Sequence, residues 1–105
     1  MKVGMLTSPF GREPLAEAVR FAADAGCDAL EIATGRGSAH CDVTEGDAKA
    51  AQEVSRLVTD AGLEISSFAC YANVFAEGPS INEGVVSAIR GTIDSASAIG
   101  VDVVC

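Results

Sequence analysis

The chain is poor in aromatics, at 5% of its residues, and poor in positive charge, with seven Lys and Arg against fifteen Asp and Glu. The formal net charge is −8, and the few basic residues are scattered rather than clustered. Such a surface repels a phosphate backbone, which excludes general nucleic-acid binding. No apolar run approaches the length that spans a bilayer. The opening MKVGMLTSPFG lacks the long apolar core and small-residue cleavage site of a secretory leader, so the sequence reads as cytoplasmic, with no membrane partner. The four cysteines, Cys27, Cys41, Cys70 and Cys105, form no CxxC pair and no zinc-site spacing. In a reducing compartment they are expected as free thiols. Cys27, Cys70 and Cys105, in or beside apolar strands, read as small hydrophobes. No GxGxxG opens a helix after a strand, and no Walker-type Lys is present; GRG at Gly35–Gly37 is too short for a nucleotide fingerprint. Ser, His and Asp can be combined on paper, but no nucleophile elbow supports a triad.

What is present is a globular composition, 49% apolar and 21% charged over 105 residues, enough for one domain. Ala, Val, Ile and Gly dominate, which suits small-residue packing between helices and a parallel sheet. Three stretches repeat: FAADAGCDALEIA, LVTDAGLEISSFA and SASAIGVDVVC. Each is a small-residue helix end, a glycine, one residue, an acid and an apolar run. The glycines are Gly26, Gly62 and Gly100, separated by 36 and 38 residues, a period of repeated supersecondary units. Apolar stripes at helical spacing precede each: Leu15, Ala18, Val19, Phe21 and Ala22; Ala51, Val54, Leu57, Val58 and Ala61; Val85, Ile89, Ile93 and Ala96. Pro14 suits a first helical turn, and Thr44 with Asp47 resembles a capping box.

The pattern predicts strand 2–6, helix 13–25, strand 28–33, helix 44–61, strand 64–70, helix 81–99 and strand 101–105. Alternation of this kind means right-handed βαβ units in a parallel sheet. Helix-to-strand links are tight, whereas the strand-to-helix links 7–12, 34–43 and 71–80 are long. Long loops at the carboxyl ends of parallel strands are where α/β folds carry chemistry. The apolar run VDVVC reads as a strand still waiting for a helix. The expectation is therefore that residues 1–105 are the first half, about four strands and three helices, of a (β/α)8 barrel whose other half is absent. The alternative is a small open flavodoxin-like sheet.

The strand-end segments carry a resemblance. ALEIATGRGSAHCDV is similar to the second strand and loop of the sugar phosphate isomerase/epimerase family, the xylose-isomerase-like TIM barrels, whose members often show VEIGTG followed by HCD. GLEISSFACYANVF resembles their third strand, and MKVGMLTSPFG their first. The likeness runs over all 105 residues; it departs in YANVFAEGP, which keeps Asn73 but not the Pro and His of the family's loop. The resemblance implies a barrel of roughly 250 to 300 residues that moves a proton at a carbon next to a carbonyl, isomerising or epimerising a sugar or sugar phosphate. It also implies a divalent metal, manganese, magnesium or zinc, held by Glu, Asp, His and Glu on strands five to eight, and no catalytic or metal-binding residue within these four strands. Two rivals stay open: a dehydratase of an inositol-like ketone on the same barrel, and a non-catalytic barrel that binds a polyol. Either way the partner is a small sugar or polyol, with room for a homo-oligomer.

Five residues are candidates for substrate contact. Strand alternation turns Leu30 and Ile32 toward the helices and Glu31, with Ala29 and Ala33, toward the barrel interior. A carboxylate there needs a partner: a sugar hydroxyl, a neighbour it orients, or a Lys or Arg of the other half. His40, the only histidine, is either an exposed loop residue or, in GRGSAHCD, a ligand contact or proton shuttle. Cys41 and Asp42 are expected to fix the loop and start the next helix. Tyr71 either contacts a polar ligand or packs on its loop, and Asn73 either does the same or supports a tight turn. Phe10, after Thr7 and Ser8, either walls the pocket or packs its own loop.

Overall fold

The computed structural model describes residues 1–75 and 78–105. Ala76 and Glu77, within the 71–80 loop, lie outside the described residues. The order of elements is β1 (Gly4–Leu6), a 3-10 turn (Ser8–Phe10), α1 (Leu15–Asp24), β2 (Ala29–Ala33), α2 (Ala48–Asp60), β3 (Glu64–Ala69) and α3 (Glu83–Ala98). The strands form a parallel sheet in the order β1-β2-β3. The chain is thus an α/β protein built of successive βα units.

The repeated glycines set the frame. Gly26, Gly62 and Gly100 have φ of 77°, 78° and 74°, a left-handed conformation that side chains with a Cβ resist. Each closes its helix in the same way. Cys27, Leu63 and Val101 donate their amides to the carbonyls of Ala22, Val58 and Ala96, and the glycine amides donate to Ala23, Thr59 and Ser97. This paired closure satisfies the last carbonyls of each helix and turns the chain straight toward the next strand.

Pairing puts Leu6, Glu31 and Ser67 level with one another, and Ala33 level with Ala69. One sheet face carries Met5, Leu30, Ile32, Ile65 and Phe68, which pack with Leu15, Val19 and Ala22 of α1 and Val54 and Val58 of α2 to form the core. Leu30, Ile32 and Phe68 are fully buried. The opposite face carries the small residues Ala29, Ala33, Ser67 and Ala69, with Glu31 among them.

The elements are mostly a residue or two shorter at their ends than the sequence expectation, β1 beginning at Gly4 and α1 at Leu15, and three differences have a visible cause. α2 begins at Ala48, capped by Asp47, whose carboxylate accepts from the amides of Lys49 and Ala50. Thr44 cannot cap it, because its hydroxyl is turned inward and donates to Asp42 at 2.8 Å. α3 is capped by Asn82, which accepts from the Val85 amide. The fourth expected strand, 101–105, is present only as a parallel bridge between Phe68 and Val104. Its backbone still follows β3: Phe68 donates to Val103, Cys105 donates to Phe68, and Cys70 donates to Cys105. Cys105 is exposed rather than a buried hydrophobe, whereas Cys41 and Cys70 are buried and all four thiols are free. Among the described residues, no helix is long and apolar enough to cross a membrane.

Candidate functional site

The loops that follow β1, β2 and β3 meet at the carboxyl end of the sheet, and side-chain bonds hold them there. Thr7, fully buried just past β1, is the central tie. Its amide donates to the Glu31 carbonyl at 3.0 Å, and its hydroxyl accepts from the Ala33 amide at 2.9 Å. On the other side of β2, Thr34 donates both its amide and its hydroxyl to the Ala69 carbonyl. Two threonines thus fasten the ends of the three strands, and so fix where Glu31 stands.

Glu31 is half-buried on the face away from the helices, and the Tyr71 phenol donates to its Oε1 at 2.7 Å. Forty residues apart in sequence, the pair forms because Glu31 ends β2 while Tyr71 leaves the adjacent β3. The bond to the Glu31 carboxylate holds the Tyr71 phenol above its ordinary range, so the hydroxyl keeps its proton. Tyr71 as a whole is 71% exposed. A carboxylate whose second oxygen has no hydrogen bond among the described residues, a phenolic oxygen and an open aromatic face therefore share one spot. That set can receive ligand hydroxyls and stack on an apolar ligand face.

His40 stands elsewhere. It is only 6% exposed, and both ring nitrogens are engaged inside the protein. Nε2 lies 2.9 Å from the Phe10 carbonyl and 3.1 Å from that of Glu13. Both partners are acceptors, so Nε2 carries a proton. Nδ1 meets the Thr7 hydroxyl at 3.0 Å. The ring bolts the loop after β1 to the loop after β2, and the expectation of an exposed loop histidine does not hold.

Phe10 packs its ring on Phe21 of α1, with centroids 5.2 Å apart, while its carbonyl receives His40. Asn73 is exposed and its Oδ1 accepts from the Phe75 amide at 2.9 Å, a local turn. Of the five candidates, the structure brings Glu31 and Tyr71 together; His40 and Phe10 join in a separate, packed cluster, and Asn73 shapes its own loop.

The loop after β2 is organised by Asp42. Its carboxylate accepts from the Gly37 amide at 2.7 Å and the Thr44 hydroxyl at 2.8 Å. These bonds, the Gly37 amide foremost, hold the Asp42 carboxyl below its usual range. The neighbouring Cys41 thiol is pushed up to about 12, chiefly by burial and then by the Asp42 charge. Beside this loop a cavity of about 390 Å³ opens between Arg36, Thr44, Cys70, Asn82 and Val85.

Sequence reading missed Thr7 and Thr34 as ties; a threonine directly after β1 and after β2 is the only local signal they leave. Among the described residues, no three His, Cys, Asp or Glu side chains converge to hold a metal ion. The fold and site together define an α/β chain of parallel βα units with polar groups gathered at the strand carboxyl ends. No family profile matches the chain, and no curated protein does either.

Proposed function

We propose that this chain forms the first strands of a (β/α)8 barrel that isomerises or epimerises a sugar or sugar phosphate by proton transfer next to a carbonyl. The observation that carries the reading is the Glu31–Tyr71 pair, bonded at 2.7 Å on the sheet face away from the helices, at the carboxyl end of neighbouring parallel strands. Ligands of parallel α/β sheets bind at that end. The resemblance of the strand-end segments to the sugar phosphate isomerase/epimerase family supplies the reaction class. In this reading Glu31 and Tyr71 bind and orient the substrate, and the small residues Ala33, Ser67 and Ala69 leave room for it. Among the described residues no three His, Cys, Asp or Glu side chains converge; in this reading the manganese, magnesium or zinc ion is held by strands five to eight, as the resemblance implies.

The experiment is to incubate the full-length protein with ketoses and their phosphate esters in deuterium oxide, with each of the three metals supplied. Interconversion with deuterium incorporated at the carbon beside the carbonyl supports the reading. A protein that binds these sugars but exchanges no carbon-bound hydrogen with any metal overturns it.

A further inference from the structure

We infer that the Glu31–Tyr71 pair selects a neutral vicinal diol and disfavours a phosphorylated or carboxylated group at this end of the site. The inference rests on the sugar-barrel reading above and narrows its substrate. Tyr71 spends its only hydroxyl proton on Glu31 Oε1. What the pair then offers a ligand is acceptors: Glu31 Oε2 and the lone pairs of the Tyr71 oxygen. Two hydroxyls on adjacent carbons bring two donors, one for each oxygen. A phosphate dianion or a carboxylate brings no donor and carries the charge of Glu31.

Among the described residues no ion-paired cation sits on Glu31 to reverse that preference. The ion pairs of the described residues join Lys2 to Glu64, Arg20 to Glu17 and Arg36 to Glu45, and none includes Glu31. Opposite charge within about 4–6 Å is what would make an anion welcome. The open Tyr71 ring adds an apolar platform suited to the C–H face of a sugar.

Tyr71 is the only tyrosine of these 105 residues, and the ring signals that Tyr71→Phe removes identify it in the full-length protein. The test is to titrate the full-length protein with D-fructose and with D-fructose 6-phosphate while following that ring. Saturable shifts with D-fructose, at an affinity about tenfold or more above that for the phosphate ester, are expected. Glu31→Gln swaps one acceptor oxygen for a donor amide and removes the charge. It should weaken D-fructose binding about tenfold, the loss of one hydrogen bond to a charged group, and bring the two sugars level. Tyr71→Phe, followed through the perturbed phenylalanine ring signals, should weaken binding but keep the discrimination. An unchanged backbone spectrum confirms that each variant folds. Equal or tighter binding of the phosphate ester, no saturable shift with either sugar, or unchanged selectivity in the folded Glu31→Gln variant overturns the inference. Selective D-fructose binding without isomerisation overturns only the proposed reaction, while turnover that prefers the phosphate ester overturns only the selectivity.

Discussion

Gly91 of α3 rests on the backbone of Thr44 so closely that a Cβ at position 91 would sit 2.1 Å from the Thr44 carbonyl oxygen. The same Cβ would lie 2.9 Å from the Gly46 amide nitrogen, so backbone atoms block it on two sides. Four residues on, Ser95 donates its hydroxyl to the Val43 carbonyl at 3.2 Å. The third helix is thus docked onto the loop after β2 by a missing side chain and one hydrogen bond.

Gly91→Ala should therefore destabilise the protein, although alanine is the better helix former by about 1 kcal/mol. Forcing α3 off the loop should cost about 1–3 kcal/mol net, the range of overpacked sites. Urea denaturation of the two proteins checks the sign. A midpoint equal to or above the parent's would show that the contact yields without cost.

His40→Ala should act on stability. Removing the ring takes its partner from the Glu13 carbonyl and one of two partners from the Phe10 carbonyl and the Thr7 hydroxyl, which keep the Glu13 and Ala33 amides. The expected loss is about 2–3 kcal/mol, given the cost of orphaned buried polar groups. A second readout is specific to the tie: the Ala33 amide, bonded to Thr7 Oγ1, should exchange faster with solvent. Unchanged stability and exchange, with ligand binding lost, would return His40 to the substrate contacts.

Thiol chemistry should divide by burial. Exposed Cys105 is expected to react first with iodoacetamide at pH 8, and Cys41 only on unfolding. The raised Cys41 value also sets a pH dependence. The folded thiol holds its proton up to about 12, whereas an ordinary thiol loses it near 9.0. Between those values the folded state binds more protons than the unfolded one, so stability falls as pH rises. Its contribution is fully present below pH 9 and fades toward 12. Melting curves from pH 8 to 11 should show the decline, and Cys41→Ala should flatten it. A slope that Cys41→Ala leaves unchanged would assign it to other groups.

The 105-residue chain, purified alone, should self-associate. Among the described residues β1 pairs only with β2, and the outer side of 101–105 pairs with no strand. Val3 is 52% exposed and Val103 49%, so both open edges are also apolar. Unpaired edges of this kind recruit further strands, and a net charge of −8 slows but does not fill them. Light scattering should give a mass above that of one chain. A cooperatively melting monomer would mean that the edges are protected.

The βα repeat was legible in the sequence because its signals are local. A glycine that must take positive φ, the apolar spacing before it and the alternation after it all lie within one unit, and Gly26, Gly62 and Gly100 close their helices identically. That Glu31 leaves the sheet on the face away from Leu30 and Ile32 was legible for the same reason: successive strand residues face opposite ways whatever surrounds them. The start of α2 was misread by four residues because Thr44 found a better partner in Asp42 than in the helix amides. Whether 101–105 forms a strand depends on a neighbour on each side, which its own residues do not specify. The site was decided in the same long-range way. Tyr71 meets Glu31 across forty residues, His40 meets Thr7 across thirty-three, and Ser95 meets Val43 across fifty-two. Spacing in the chain says which way a side chain leaves its own element. Which group it meets is settled only when strand register and helix docking bring distant elements together, and that is why His40 became a buried tie while Tyr71 reached the carboxylate.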